Sequence, residues 1–297
     1  MRIGIDLGGT KIEAIALDQN GSELFRHRVQ TPRNDYSATI KAITDLVHYL
    51  EQQCSGTGSV GIGIPGTISA KTGLVKNANS TWIIGKPLQQ DLEQRLGRPV
   101  KIANDANCFV VSEATDGAAA GYEIVFGVII GTGTGAGIAV NGIPLVGANS
   151  IAGEWGHNPL PWPDKDESPG ADCYCGKKGC IETWLSGPGF SRYYQSCSNA
   201  NLTPTDIVQL AEQGNTLAED SIQQYEDRLA RSLASVINIL DPDIIVLGGG
   251  MGNIKRLYEN VPRLWAKYIF SDEVNTQLVP PMHGDSSGVR GAAWLKQ

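Results

Sequence analysis

Two segments of the chain, about 120 residues apart, follow one plan. RIGIDLGGTKIEAIALDQNG (residues 2–21) reads as an apolar strand, a Gly/Thr-rich turn, a second strand and Asn-Gly. EIVFGVIIGTGTGAGIAVNG (residues 123–142) reads the same way. One such hairpin in each half predicts two related lobes facing one cleft; the alternative is a chance similarity between two Gly-rich hairpins. At 297 residues the chain has the length of about two domains. The glycines of residues 117–121 mark the expected boundary. The smaller α/β lobe is expected over residues 1–118 plus 285–297, and the larger over residues 119–284.

The rest of the chain alternates strand and helix patterns, which makes the fold class α/β. Asn20-Gly21 predicts a hairpin turn into SELFRHRVQ, so that the first three strands form an antiparallel meander. Apolar residues at helical spacing (Ile40, Ile43, Leu46, Val47, Leu50) predict a helix over 37–50, and another is expected over 88–96. SVGIGIPG and PVKIAN read as strands. DANCFVVSEATDGAAAG reads as a helix closing at a glycine. Residues 160–180 predict a long irregular segment. Helices follow over TPTDIVQLAEQG, over TLAEDSIQQYEDRLARSLASVINIL and over residues 253–269, and a turn and short helix end the chain.

Composition excludes several functions. The net charge is −7 with no run of Lys or Arg, which argues against nucleic-acid and membrane-surface partners. The opening residues read directly into a strand with no leader pattern, and no apolar segment reaches bilayer length. The expected compartment is the cytoplasm, where thiols stay reduced and clustered cysteines serve metal binding or chemistry.

Three Gly-rich turns follow apolar strands. DLGGTK sets the Asp6 carboxylate beside Gly8, Gly9, Thr10 and Lys11, a cradle for an anion or an ordinary hairpin turn. GTGTGAG offers Gly131, Thr132, Gly133 and Thr134 in the same way, and the two turns could grip one polyphosphate from opposite sides. LGGGMGN places Gly248, Gly249 and Gly250 before a helix, as a rest for a nucleoside or phosphate or as a plain strand-to-helix turn. Strands follow the first two turns, which excludes a P-loop and a dinucleotide fingerprint. In IANDANC, Asn104 and Asp105 stand where a strand gives way to a helix. They suit helix capping, and they equally suit a site in which a carboxylate takes a hydroxyl proton during phosphoryl transfer.

Cys173, Cys175 and Cys180 make Cys-x-Cys-x4-Cys, with His157 upstream. Three thiolates and one imidazole form a closed tetrahedral set, the structural class of zinc site, with no position left for a reactive water. Buried free cysteines or a redox cluster are the alternatives. Cys54, Cys108 and Cys197 are scattered and read as small core residues. The metal would pin residues 160–180 and fix Glu154 and Glu182, which flank the ligands as candidate sugar-hydroxyl acceptors or as solvated charges.

Together these motifs resemble the ROK family of bacterial sugar kinases, over nearly the whole chain. DLGGTK and GTGTGAG are similar to its phosphate turns, ANDANC to its catalytic motif, and GEWGH with CYCGKKGCIE to its zinc signature. The resemblance implies a two-lobed actin-like/hexokinase-like ATPase fold with a zinc-bound loop. It implies ATP with Mg²⁺ as phosphoryl donor, a structural Zn²⁺, Asp105 as general base, and Asp6 organising magnesium and phosphates. Asn104, Asp105, Glu154, His157 and Glu182 would hold sugar hydroxyls, with Asn79 and Gly66 lining the same pocket. His157 would touch both zinc and sugar, and a homodimer is expected. No DNA-binding helix pair is expected ahead of DLGGT. KNANSTW and GEWGHNPLPW resemble the fructokinase (manno(fructo)kinase) subgroup, which implies D-fructose and possible use of mannose. N-acetylglucosamine or glucose kinases are the near alternatives, and they tend to have Phe where Trp155 stands and to lack NSTW. On this reading the wall around Asn79–Trp82 and Trp155 decides the sugar. A non-catalytic sugar-responsive regulator is the alternative of another class.

Overall fold

The computed structural model describes residues 1–296, Asp285 by its backbone alone; Gln297, the last residue of the expected smaller lobe, lies outside the described residues. In chain order the first elements are β1 (Arg2–Leu7), β2 (Lys11–Leu17), β3 (Glu23–Gln30), α1 (Tyr36–Gln53), β4 (Ser59–Ile64), β5 (Thr67–Ile68), β6 (Val75–Lys76), α2 (Leu88–Leu96), β7 (Val100–Asn104) and α3 (Asp105–Thr115). There follow β8 (Ile124–Ile130), β9 (Thr134–Val140), β10 (Ile143–Pro144), α4 (Ile181–Leu185), α5 (Gly187–Ser198), α6 (Pro204–Glu212), α7 (Thr216–Leu240), β11 (Ile244–Gly248), α8 (Leu257–Trp265), β12 (Gln277–Val279) and α9 (Ser287–Trp294).

The repeated sequence plan becomes a repeated sheet. One five-stranded sheet has the order β3-β2-β1-β4-β7 and the other β10-β9-β8-β11-β12. In the first, β1, β4 and β7 run parallel while β2 and β3 are antiparallel neighbours. In the second, β8, β11 and β12 run parallel and β10 is antiparallel to β9. Position for position, the second order copies the first. A two-stranded ribbon, β5-β6, completes the sheets.

The two Asn-Gly pairs end differently. Asn141 and Gly142 both take positive φ (53° and 71°), the left-handed pair of a two-residue turn between β9 and β10. Asn20-Gly21 does not close such a turn. The loop is longer, with Asp18 N–H donating to Ser22 O, and the Asp18 carboxylate accepts from Asn20 N and Ser22 N, both at 2.8 Å. The local carboxylate supplies an Asx-type turn that outcompetes the dipeptide preference.

Contacts divide the chain into two compact units, Met1–Gly121 with Gly137–Ala152 and Met282–Gln297, and Tyr122–Ala136 with Gly153–Pro281. In the first, Asp35 caps α1 by accepting from Ala38 N, and the stripe Ile40, Ile43, Leu46, Val47, Leu50 is buried against Ile3, Ile5, Val60 and Ile62. The closing helix α9 covers the other side, packing Val289 and Ala293 on Ile15 and Leu17. Glycines make this approach possible: a Cβ on Gly61 would stand 1.9 Å from Ala292 O, and one on Gly291 would stand 1.6 Å from Cys108 O.

Two expected helices are shorter in the structure. The helix begun at Asp105 stops at Thr115, because the buried Glu113 carboxylate accepts from Ala118 N, Met282 N and the Ser287 hydroxyl and turns the chain away. The stretch 253–269 contains α8 only over Leu257–Trp265. LGGGMGN opens instead into a single 3₁₀ turn, Gly250–Asn253, held tight by the Tyr258 hydroxyl donating to Leu247 O and Gly252 O. No described helix is long and apolar enough to cross a membrane.

Candidate functional site

In the first unit, parallel pairing sets β1, β4 and β7 side by side, so Asp6 and Asn104 both stand near strand carboxyl ends, with Gly63 and Ile64 of β4 between them. Asn104 is an N-cap after all: its Oδ1 accepts from Asn107 N at 2.8 Å. Its Nδ2 meanwhile donates to Asp105 Oδ1 at 3.1 Å, and Asp105 Oδ1 also accepts from Ala106 N at 2.8 Å. The cap thus holds the adjacent carboxylate in one orientation at the start of α3. Asp6 is pushed up to about 6, first by burial and then by the charges of Asp105 and Glu13, against the opposing pull of Lys11 and Arg28. A cation beside Asp6 would relieve this crowding of carboxylates, so the residues present fit Mg²⁺.

The DLGGTK turn is closed by Gly8 N donating to Lys11 O (3.0 Å), and it is braced by the Thr31 hydroxyl on Gly8 O (2.7 Å). Gly66 lies hard against the Lys76–Ala78 segment, where a Cβ would stand 2.8 Å from Lys76 O, and Asn79 N donates to Pro65 O at 3.1 Å. Ser80, of the NSTW stretch, has a buried hydroxyl with no hydrogen-bond partner, 3.9 Å from where a Cβ of Gly9 would stand. The NST stretch therefore lies against the first glycine turn.

The second unit gathers the other half of the expected residues. His157, Cys173, Cys175 and Cys180 bring their ligand atoms within 4.8 Å of one another. Cys175 Sγ and Cys180 Sγ are 3.6 Å apart, as are Cys173 Sγ and His157 Nδ1. A tetrahedron with Zn–S bonds of about 2.3 Å has sulfur–sulfur edges of about 3.8 Å. The set fits zinc. The backbone builds it in advance through bridges pairing Pro159 with Cys180 and Asp172 with Lys178, and through Cys173 N donating to Lys177 O (2.8 Å). Without a cation the Cys180 thiol is pushed up to about 12, by burial and by its neighbouring sulfurs.

Glu182, in the first turn of α4, reaches the second glycine turn. Its Oε2 accepts from Thr134 N at 2.9 Å, and a Cβ on Gly133 would stand 2.8 Å from the same oxygen. Gly156 of GEWGH packs there too, where a Cβ would meet Thr134 O at 2.2 Å. The metal knuckle and the GEWGH turn thus both brace residues 133–134. Thr134 Oγ1 is buried without a partner. Glu154 is exposed, and His157 Nε2 lies 2.9 Å from the Tyr174 hydroxyl. Burial and the charges of Glu182, Cys173 and Glu154 push that hydroxyl up to about 12.

The third glycine turn meets the second in one groove of about 490 Å³, lined by Gly131, Thr132, Gly187, Pro188, Gly250 and Met251 among others. Its mix of apolar wall and backbone donors suits a nucleoside followed by phosphates. Gly248 ends β11, and Gly249 takes φ +80 on the way to Gly250.

Two residues expected to shape the sugar wall are fixed by packing. Trp155 is buried, its ring edge-on to Phe126 at 5.8 Å. Trp82 donates from Nε1 to Thr39 Oγ1 at 3.1 Å, tying its loop to α1. Sequence reading also missed Glu167. This buried carboxylate accepts from Arg228 Nε (2.7 Å) and from Arg231 Nη1 and Nη2 (both 2.9 Å). Arg231 donates further to Pro161 O and Trp162 O.

The ROK family matches residues 2–297 of this chain. The N-acetyl-D-glucosamine kinases of Pectobacterium atrosepticum and Vibrio cholerae are each 40% identical to it over 299 residues, covering 99% of this chain and 98% or 99% of their own. A ROK hexokinase from Thermus thermophilus superposes with a TM-score of 0.88 at 29% identity, over 99% of this chain and 96% of that one. A ROK glucokinase from Streptomyces griseus, solved with glucose and AMPPNP, gives a TM-score of 0.76 at 28% identity, over 98% and 97%.

Proposed function

The chain belongs to the ROK family, and on that premise we propose that it is a kinase transferring the terminal phosphoryl group of ATP to a hexose. The observation that carries the reading is the joint geometry of the second unit, where one glycine turn borders a nucleoside-sized groove and is braced by the metal knuckle.

The first unit contributes Asp6, the Gly8–Lys11 turn, Asn104 and Asp105. The second contributes Gly131–Thr134, Gly248–Gly250 and the sugar contacts Glu154 and His157. Asp105, held by Asn104 and by Ala106 N–H, takes the proton of a sugar hydroxyl. That oxygen then attacks the γ-phosphorus in line, and ADP leaves with the bridging oxygen. Backbone N–H groups of the Gly131–Thr134 turn, beside the groove, meet the charge on the phosphoryl oxygens. Magnesium beside Asp6 supplies charge neutralisation to the phosphates when bound. Zinc held by His157, Cys173, Cys175 and Cys180 supplies structure alone, since all four positions are protein ligands.

For the sugar, the relatives support N-acetyl-D-glucosamine over fructose, reversing the order in which the motifs ranked them. The fructose reading leaned on Trp155 and NSTW, and Trp155 is a buried packing residue. Fructose stays as the second reading on one observation, the NST stretch placed against the first glycine turn. A coupled ADP-release assay over N-acetylglucosamine, glucose, mannose and fructose decides between them. The expected result is highest kcat/KM with N-acetylglucosamine, and ADP release with no sugar overturns the kinase reading. Asp105→Asn is expected to lower kcat by about 10²–10⁴-fold with zinc content unchanged.

A further inference from the structure

Tyr174 has an unusual setting. Its ring is 81% exposed, and its backbone lies between two metal-ligand cysteines. The hydroxyl lies 2.9 Å from His157 Nε2, with the two rings at 89° and their centroids 5.0 Å apart. The imidazole has its other nitrogen, Nδ1, facing Cys173 Sγ at 3.6 Å, within the metal-ligand set. Ligation through Nδ1 leaves the proton on Nε2, which then requires an acceptor. Tyr174 is that acceptor.

His157, Glu154 and Glu182 are the three residues of this unit expected to meet sugar hydroxyls. A tyrosine hydroxyl is, like a sugar hydroxyl, one donor and one acceptor on a small oxygen. An exposed ring forfeits little packing when it rotates away, and the two flanking cysteines restrict the movement to the side chain.

We propose that Tyr174 holds the sugar's place in the sugar-free chain: its hydroxyl accepts the His157 Nε2 hydrogen bond that a sugar hydroxyl takes over on binding. This inference rests on the hexose-kinase reading. The placeholder keeps His157 in its orientation when the site is empty, and its displacement weakens apparent sugar affinity by the worth of one exchanged hydrogen bond.

The test uses the full zinc-loaded chain, calorimetric sugar titration without ATP, and nitrogen-detected NMR of the imidazoles, of which the chain has four. Tyr174→Phe removes the hydroxyl and keeps the ring. The expected result is a sugar Kd lower by about 2–10-fold, with zinc content unchanged. In the sugar-free state the His157 Nε2 signal moves in the variant, and in the sugar-bound state the wild-type and variant signals coincide. Tyr174→Leu shifts Kd in the same direction. A Kd unchanged or raised in the variants, or bound-state signals that still differ, overturns the placeholder while leaving the kinase reading in place. A wild-type chain that binds none of the four sugars overturns the kinase reading, and this inference with it.

Discussion

Asp6 occupies a place where a carboxylate is costly, and the cost has a sign that can be measured. Its folded value of about 6 lies above the ordinary 3.8, so the folded chain binds this proton more tightly than the unfolded one. The destabilisation is fully present above pH 6 and fades as pH falls through 6 toward 3.8. Asp6→Asn is therefore expected to melt at a higher temperature than wild type at pH 8, with a margin that shrinks in scans at pH 6 and 5, and to lose most Mg²⁺-dependent turnover. A functional site built against stability accounts for both outcomes. At this scale the sequence was legible where chemistry is local. Three cysteines and a histidine, singled out by type and spacing, do bring their ligand atoms within 4.8 Å of one another. The contact from Tyr174 to His157 was not legible, since it depends on how two rings turn. Nor was the burial of Trp155, whose ring packs edge-on against Phe126.

Among the elements, the segment between GEWGH and the cysteine knuckle is held by more than metal. Glu167 sits in a 3₁₀ turn with its own capping box to Asp164, and Arg228 and Arg231 of α7 grip its carboxylate. The Arg228 guanidinium also lies over the Trp184 and Tyr193 rings, at 4.6 and 4.0 Å. Burial works against the Glu167 charge, and the hydrogen bonds from Arg231 and Arg228 outweigh it, holding the carboxyl down at about 2. Its stabilisation is thus present above the ordinary 4.5 and lost as pH falls through 2. Glu167→Ala leaves Arg228 buried without its anion and Arg231 with Asp227 alone, and is expected to cost about 3–5 kcal/mol in urea unfolding. An unchanged midpoint would show that the arginines find other partners. Sequence periodicity found α1 because an apolar stripe is a property of neighbouring residues. It could not find this anchor, whose partners lie more than sixty positions apart, and it overran α3 because a single buried carboxylate, Glu113, ends the helix from within.

For the molecule as a whole, the duplicated sheet was the feature most open to sequence reading, because strand–turn–strand patterning survives in composition even where identity is low. The two units depend on metal unequally. All four residues of the Cys/His cluster that fits zinc belong to the second unit, and within it Glu167 is anchored by Arg228 and Arg231 without metal. Chelation is expected to remove hydrogen-exchange protection from residues 171–180 and from the Thr134 amide that Glu182 receives, and to leave β1, β4 and α1 protected. Protection lost evenly across both units would mean that the ion governs the entire fold. The first unit has a different dependence, on order of synthesis. Its sheet is covered on one side by α9, more than two hundred residues downstream of β1, through glycines that let the helix approach closely. A nascent chain leaving the ribosome can complete the second unit, begun later, while β1, β2 and β4 still lack their lid. Through most of translation Ile15 and Leu17 of the neighbouring strand β2 stay uncovered, and that interval is when a chaperone, or another unfinished copy, has most to bind.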